Sequence, residues 1–293
     1  MESTREQAQQ MGAIFDRNII GDCPLILFIG PARCGKSMVL MSLVEYLRSY
    51  QKQYAIKPNY DYIPNNDTYR QKCDDFINTL KENAGKKDGW KAPLDGSVDE
   101  ILVDIKEGQN GTTKYRMLEA PGEDFFSLNN PGNDYADYLK EIISKTREEN
   151  YPVYYVMLLD LHTENNNFNN KKDVKRGQYE ERLVTFFENG YDSKRGDKVI
   201  LLYNKIDEAM KTKTQEEALR DLLKEFYTDI KDKLKKRRWV FFKIPVYNGV
   251  LPYKSGRWEE KENSEGKKFW MYKTDKESIG YAKKLWEELT SVF

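Results

Sequence analysis

An apolar run that stops at glycine, CPLILFIG (23–30), passes through GPARCGKS (30–37) into SMVLMSLVEYLRSY (37–50). The first stretch has the unbroken apolar character of a strand buried on both faces. The last carries its apolar residues at helical spacing. Strand, glycine-bearing loop and helix thus come in immediate succession. The loop also matches G-x-x-x-x-G-K-[ST], and such a match is meaningful only between a strand and a helix, as here. In this pattern the loop amides and the helix N-terminus converge on phosphate groups. Lys36 then reaches the terminal phosphates and the Ser37 hydroxyl binds magnesium. The expected nucleotide contacts of the loop are Gly30, Arg33, Cys34, Gly35, Lys36, Ser37 and Met38, with Cys34 filling a small position.

Downstream, segments of strand and helix character alternate. Residues 51–97 are less clear: YDYIPNND is turn-rich and DTYRQKCDDFINTLKEN suggests a helix. SVDEILVDIKEG and TKYRMLEA are strand-like, and QNG between them favours a tight hairpin turn. A helix over 134–150, strands in PVYYVMLLDL and KVILLYNKID, and a long helix ending in KDKLKKRR follow. WVFFKIPV reads as the next strand, and the tail as two aromatic strand-like pieces and a final helix over 275–291. Such alternation predicts an α/β three-layer sandwich whose mostly parallel sheet carries one antiparallel edge strand. No linker separates two cores, so one domain is expected over 1–293.

Composition narrows the partners. Lys plus Arg (48) equals Asp plus Glu (48), so no net field draws the chain to nucleic acid. The basic cluster at 231–238 reads as a solvated helix end, where cations are favoured. Three cysteines form neither a disulfide framework nor a zinc pattern, and a single histidine, His162, argues against histidine-based catalysis or a histidine-rich metal site. Without a membrane-spanning run or a leader-like N-terminus, the expected location is the cytoplasm.

NKID (204–207) stands at the carboxyl end of a predicted strand, where open α/β sheets bind ligands. With the phosphate loop before it, the chain resembles GTPases of the translation-factor and Ras-like class. The resemblance implies that Asp207 accepts hydrogen bonds from guanine, Asn204 braces the base loop to the phosphate loop, and Lys205 covers the ring. It also places Glu119, Pro121 and Gly122 of LEAPGED at the middle motif, with Glu119 where the class has aspartate. Glu119 then holds the magnesium shell through water, its longer arm shifting the geometry. Gly122 contacts the γ-phosphate, and Glu123 takes the place of the glutamine that orients the attacking water. The last base contact falls near Tyr247 to Gly249, with Asn248 a substitute for the Ser-Ala-Lys of the class. The switch threonine is unassigned.

The resemblance spans about 23–249, leaving an N-terminal extension (1–22), insertions near 51–97 and 162–176, and a C-terminal hairpin plus helix (250–293). Insertion-rich bacterial GTPases of the double-GTPase type look similar at the phosphate loop. Guanylate-binding proteins and atlastins also look similar there, which implies that Arg33 swings onto the phosphates, the other reading being a solvated arginine on a loop tip. Lys36, Arg33 and Glu123 are thus the expected catalytic residues, with Ser37 and Glu119 for Mg2+. The function implied is hydrolysis of GTP to GDP as a molecular switch, with a protein effector or regulator and room for a homodimer. Two alternatives stand beside it: a GTP/GDP-binding scaffold without hydrolysis, and a small-molecule or nucleotide kinase.

Overall fold

The computed structural model describes residues 21–30, 34–82, 101–119, 134–159, 197–204, 206, 246–262 and 268–291, with scattered positions over 212–232 and at 264 and 266. Strand β1 (Leu25–Ile29) is buried along its whole length and leads through the glycine loop into α1 (Lys36–Tyr50). Next come β2 (Tyr54–Pro58), α2 (Asp67–Glu82) and the pair β3 (Ile101–Glu107) and β4 (Thr113–Glu119). Helix α3 (Asp134–Glu148) precedes β5 (Val153–Leu159), and β6 is Lys198–Tyr203. Every described residue over 213–232 is helical. The C-terminal part holds β7 (Val246–Pro252), β8 (Arg257–Glu262), β9 (Lys268–Lys273) and α4 (Lys276–Thr290).

Seven strands form one sheet in the order β2-β3-β4-β1-β5-β6-β7, and β8 pairs with β9 separately. β4, β1, β5, β6 and β7 are mutually parallel, while β3 runs antiparallel to both neighbours. The α/β class and the mostly parallel sheet are as the sequence predicts. β2 extends the sheet beyond β3, so the antiparallel strand lies one place inside the edge. Its sequence, YAIKP, is short and half-buried, with too little alternation to announce itself.

Both faces of the sheet are covered. Ile26, Phe28, Val156, Leu158, Ile200 and Leu202 pack with Val39, Leu40, Leu43 and Leu47 of α1 and with Leu285, Trp286 and Leu289 of α4. The alternate residues Leu25, Leu27, Val153, Tyr155 and Met157 are equally buried but belong to the opposite face. There α3 supplies Leu139, Ile142 and Ile143, and its Arg147 donates to the Tyr155 hydroxyl at 3.1 Å.

Two local expectations are corrected. The β3–β4 connection is not a two-residue Asn-Gly turn, because Glu107 N donates to Thr112 O (3.1 Å) and the positive φ falls on Gly108. A bulge between Ile105 and Lys106 lengthens it. The last strand of the main sheet is Val246–Pro252; of WVFFKIPV only Val246 is among the described residues. Val199 pairs with Val246 and Leu201 with Val250, so Tyr247 to Gly249 form a bulge in β7. A bulge and a terminal proline are both tolerated on this outer strand.

Candidate functional site

The carboxyl ends of β1, β4, β6 and β7 bring four short segments to one margin of the sheet. They begin at Gly30, Glu119, Asn204 and Tyr253. β4 and β5 flank β1 on opposite sides, the strand-order reversal at which open α/β sheets form a crevice.

Gly30 is glycine because a Cβ there would lie 2.8 Å from Leu158 O and 2.9 Å from Cys34 Sγ. The chain thus leaves β1 pressed against β5. Gly35 caps α1 with φ 92° and no side-chain cap, and the first intrahelical bond is Val39 N to Gly35 O at 3.0 Å. The amides of the first turn precede that bond and have no carbonyl within the helix. No acidic side chain occupies this turn, so nothing on the helix competes with an incoming anion.

Lys36 is buried, and its Nζ donates to Gly30 O at 3.0 Å, folding the ammonium back across the loop. The neighbouring Ser37 donates its hydroxyl to Glu119 Oε1 at 2.5 Å. Glu119 Oε2 is buried with no hydrogen-bond partner among the described residues. Cys34 is buried in the loop and Met38 half-buried on α1.

Asn204 closes the other side. Its Oδ1 accepts from Ser255 N at 3.2 Å, and its Nδ2 is buried without a partner among the described residues. A Cβ on Gly35 would come within 2.4 Å of that Nδ2. The amide therefore lies between the glycine loop and the segment after β7, and Gly35 is glycine for space as well as for φ. Tyr253 fixes that segment: its N donates to Tyr203 O (2.8 Å), its O accepts from Ile206 N (3.2 Å), and its hydroxyl meets Ser42 Oγ of α1 at 2.6 Å. Burial pushes the Tyr253 phenol above its ordinary range, keeping it neutral. Lys254 pairs with Asp275 and Glu277 at the start of α4, and those bonds hold its ammonium above the usual lysine range.

Gly30, Cys34, Gly35, Lys36, Ser37, Glu119 and Asn204 are thus brought together. Asn248 is not: it lies in the β7 bulge, and residues 253–256 follow the strand instead. Arg33, Gly122, Glu123, Lys205 and Asp207 lie outside the described residues. Sequence reasoning missed Ser255 and Tyr253, because Asn-Gly and Pro inside VYNGVLPY disguise a strand as a loop.

The donor set suits a hard cation. Ser37 and Glu119 offer oxygen only, and magnesium takes one or two protein ligands and completes its shell with phosphate and water. Among the described residues no group of three or more His, Cys, Asp or Glu gathers at a metal-binding distance. No described helix is long and apolar enough to cross a membrane.

No protein-family model matches the sequence, and no curated protein matches it. Among solved structures, the chain is similar to nucleolar GTP-binding protein 1 from Plasmodium falciparum at 11% identity and TM-score 0.38. That match covers 93% of this chain and 89% of the other. It is also similar to a septin GTPase domain from Chlamydomonas reinhardtii, at 10% identity and TM-score 0.31, covering 92% and 93%. Similarities at this level carry no argument about ligand or reaction.

Proposed function

We propose that this margin binds a guanine nucleotide and hydrolyses GTP to GDP and phosphate, acting as a switch. The observation that carries the reading is the placement of Asn204 between Gly35 and Ser255. That residue packs against the glycine loop and accepts a bond from the segment after β7, beside which a base would lie. In this reading the amides of Gly35 to Met38 cradle the β-phosphate, and Lys36 moves from Gly30 O onto the β- and γ-oxygens. Asp207 selects guanine, with Lys205 along the ring.

Magnesium, when bound, neutralises charge on the β- and γ-oxygens. Ser37 and Glu119 are the residues that would hold it. Glu123 orients a water whose oxygen attacks the γ-phosphorus as the bond to the bridging oxygen breaks. Gly122 donates to the γ-phosphate. Arg33 places its guanidinium at the bridge, where such a charge is worth about a thousandfold or more in rate. Arg33→Ala is expected to cut turnover to that extent with little change in affinity; equal turnover would remove Arg33 from the mechanism.

The test is binding of GTP, GDP and ATP to purified protein, then multiple-turnover phosphate release across protein concentrations. Equal affinity for ATP would refute guanine selection. A second reading, nucleotide binding without hydrolysis, draws on Glu119 standing in place of the aspartate of the class and Glu123 in place of its glutamine. Tight GTP binding with no phosphate release would establish it.

A further inference from the structure

Glu119 stands where the resemblance implies a shorter aspartate acting through water, and its carboxylate meets the Ser37 side chain directly. Its Oε1 touches the Ser37 hydroxyl at 2.5 Å. The residue is 5% exposed, and its Oε2 has no partner among the described residues. An enclosed carboxylate with one oxygen unsatisfied is costly unless a donor or cation completes it. Three hard oxygen donors thus cluster beside the first turn of α1, with the Lys36 ammonium engaged at Gly30 O.

We propose that Glu119 bonds a divalent cation directly, without an intervening water, and that Ser37 and Glu119 form a two-residue site for it. The ligand is a hard, oxygen-preferring ion, Mg2+ or Mn2+. Octahedral magnesium has metal–oxygen distances of about 2.1 Å, which sets adjacent ligands roughly 3 Å apart. The Ser37 and Glu119 oxygens need to open by only about half an ångström to reach that spacing. An aspartate would end about 1.5 Å short, one carbon–carbon bond, and a bridging water would fill the gap. The backbone cannot advance to compensate. Glu119 ends β4 in register with Phe28 of β1 and Ile101 of β3, so its root is held from both sides.

This inference deepens the proposed reading of the site, and its test separates the two. Mn2+ is titrated into the full chain, with and without GDP, and binding is read from loss of the free-ion electron paramagnetic resonance signal. Saturable binding is expected, weakened at least about tenfold in Ser37→Ala, Glu119→Gln and Glu119→Asp. Broadening by 17O-water in the GDP arm should reveal one more metal-bound water in Glu119→Asp than in the wild type. Wild-type affinity and water count in Glu119→Asp, or no saturable Mn2+ binding to the wild type in either arm, overturns the proposal. Glu119→Gln keeps the arm's length and covers the case in which the aspartate variant does not fold; undiminished Mn2+ binding by it overturns the proposal equally. Mn2+ binding that GDP leaves unchanged would count against the nucleotide reading and leave the cation site standing.

Discussion

Gly35 carries two constraints at once, a φ of 92° and an Asn204 amide nitrogen where its Cβ would be. Alanine there meets both, and backbone strain alone costs about 1–3 kcal/mol. Gly35→Ala is therefore expected to lower the urea midpoint by at least that equivalent. Adding Asn204→Ala removes the clash but not the strain, so the double variant should lose less than the sum of the two single losses. Full additivity would show that the two residues do not press on each other. The buried thiols give a second test. Burial pushes Cys23 up to about 12 and Cys73 up to about 11. Unfolding returns them to about 8.5. Between about 8.5 and 11 the folded chain holds more protons than the unfolded one, so stability falls as pH rises through that window. Urea midpoints across it should decline, and Cys23 and Cys73 should resist alkylation at neutral pH until the chain unfolds.

Helix α4 is held at both ends by residues distant in sequence. At its start Asp275 accepts from Ser278 N and Asp275 N donates to Ser278 Oγ, a reciprocal cap, while Asp275 also takes Lys254. At its end the Lys198 ammonium donates to Glu288 O, Leu289 O and Ser291 O, the carbonyls a helix leaves unpaired. Lys198→Met keeps the stem and removes the donors, and is expected to cost about 1–3 kcal/mol. Denaturant unfolding measures it, and an unchanged midpoint would show that water satisfies those carbonyls equally well. Periodicity made the helix itself visible in the sequence, along with β1, β5 and β6, whose residues are mostly apolar because both faces are covered. It did not reveal β2, which is short and half-buried, or β7, whose Asn248, Gly249 and Pro252 are turn formers held in an outer strand by pairing with β6. The run of β7 on through Pro252 is what places Ser255 beside Asn204.

For the molecule as a whole, a ligand that binds only the folded state raises its stability by mass action. At about one hundred times its dissociation constant the gain is about 2.7 kcal/mol. GDP with magnesium is expected to raise the melting temperature accordingly, and ADP at the same concentration is not. Equal shifts would remove base selection from the proposed function. The parallel sheet that frames this site and the glycine loop at the end of β1 were legible in the sequence alone. Burial on two faces demands the apolar runs of β1, β5 and β6, and the tight exit from β1 with its positive φ demands glycines locally. Tertiary structure alone decided that Glu119 reaches Ser37 directly and that the segment after β7 completes the margin. Those facts depend on strand register and on side-chain reach across neighbouring strands, and a linear pattern contains neither.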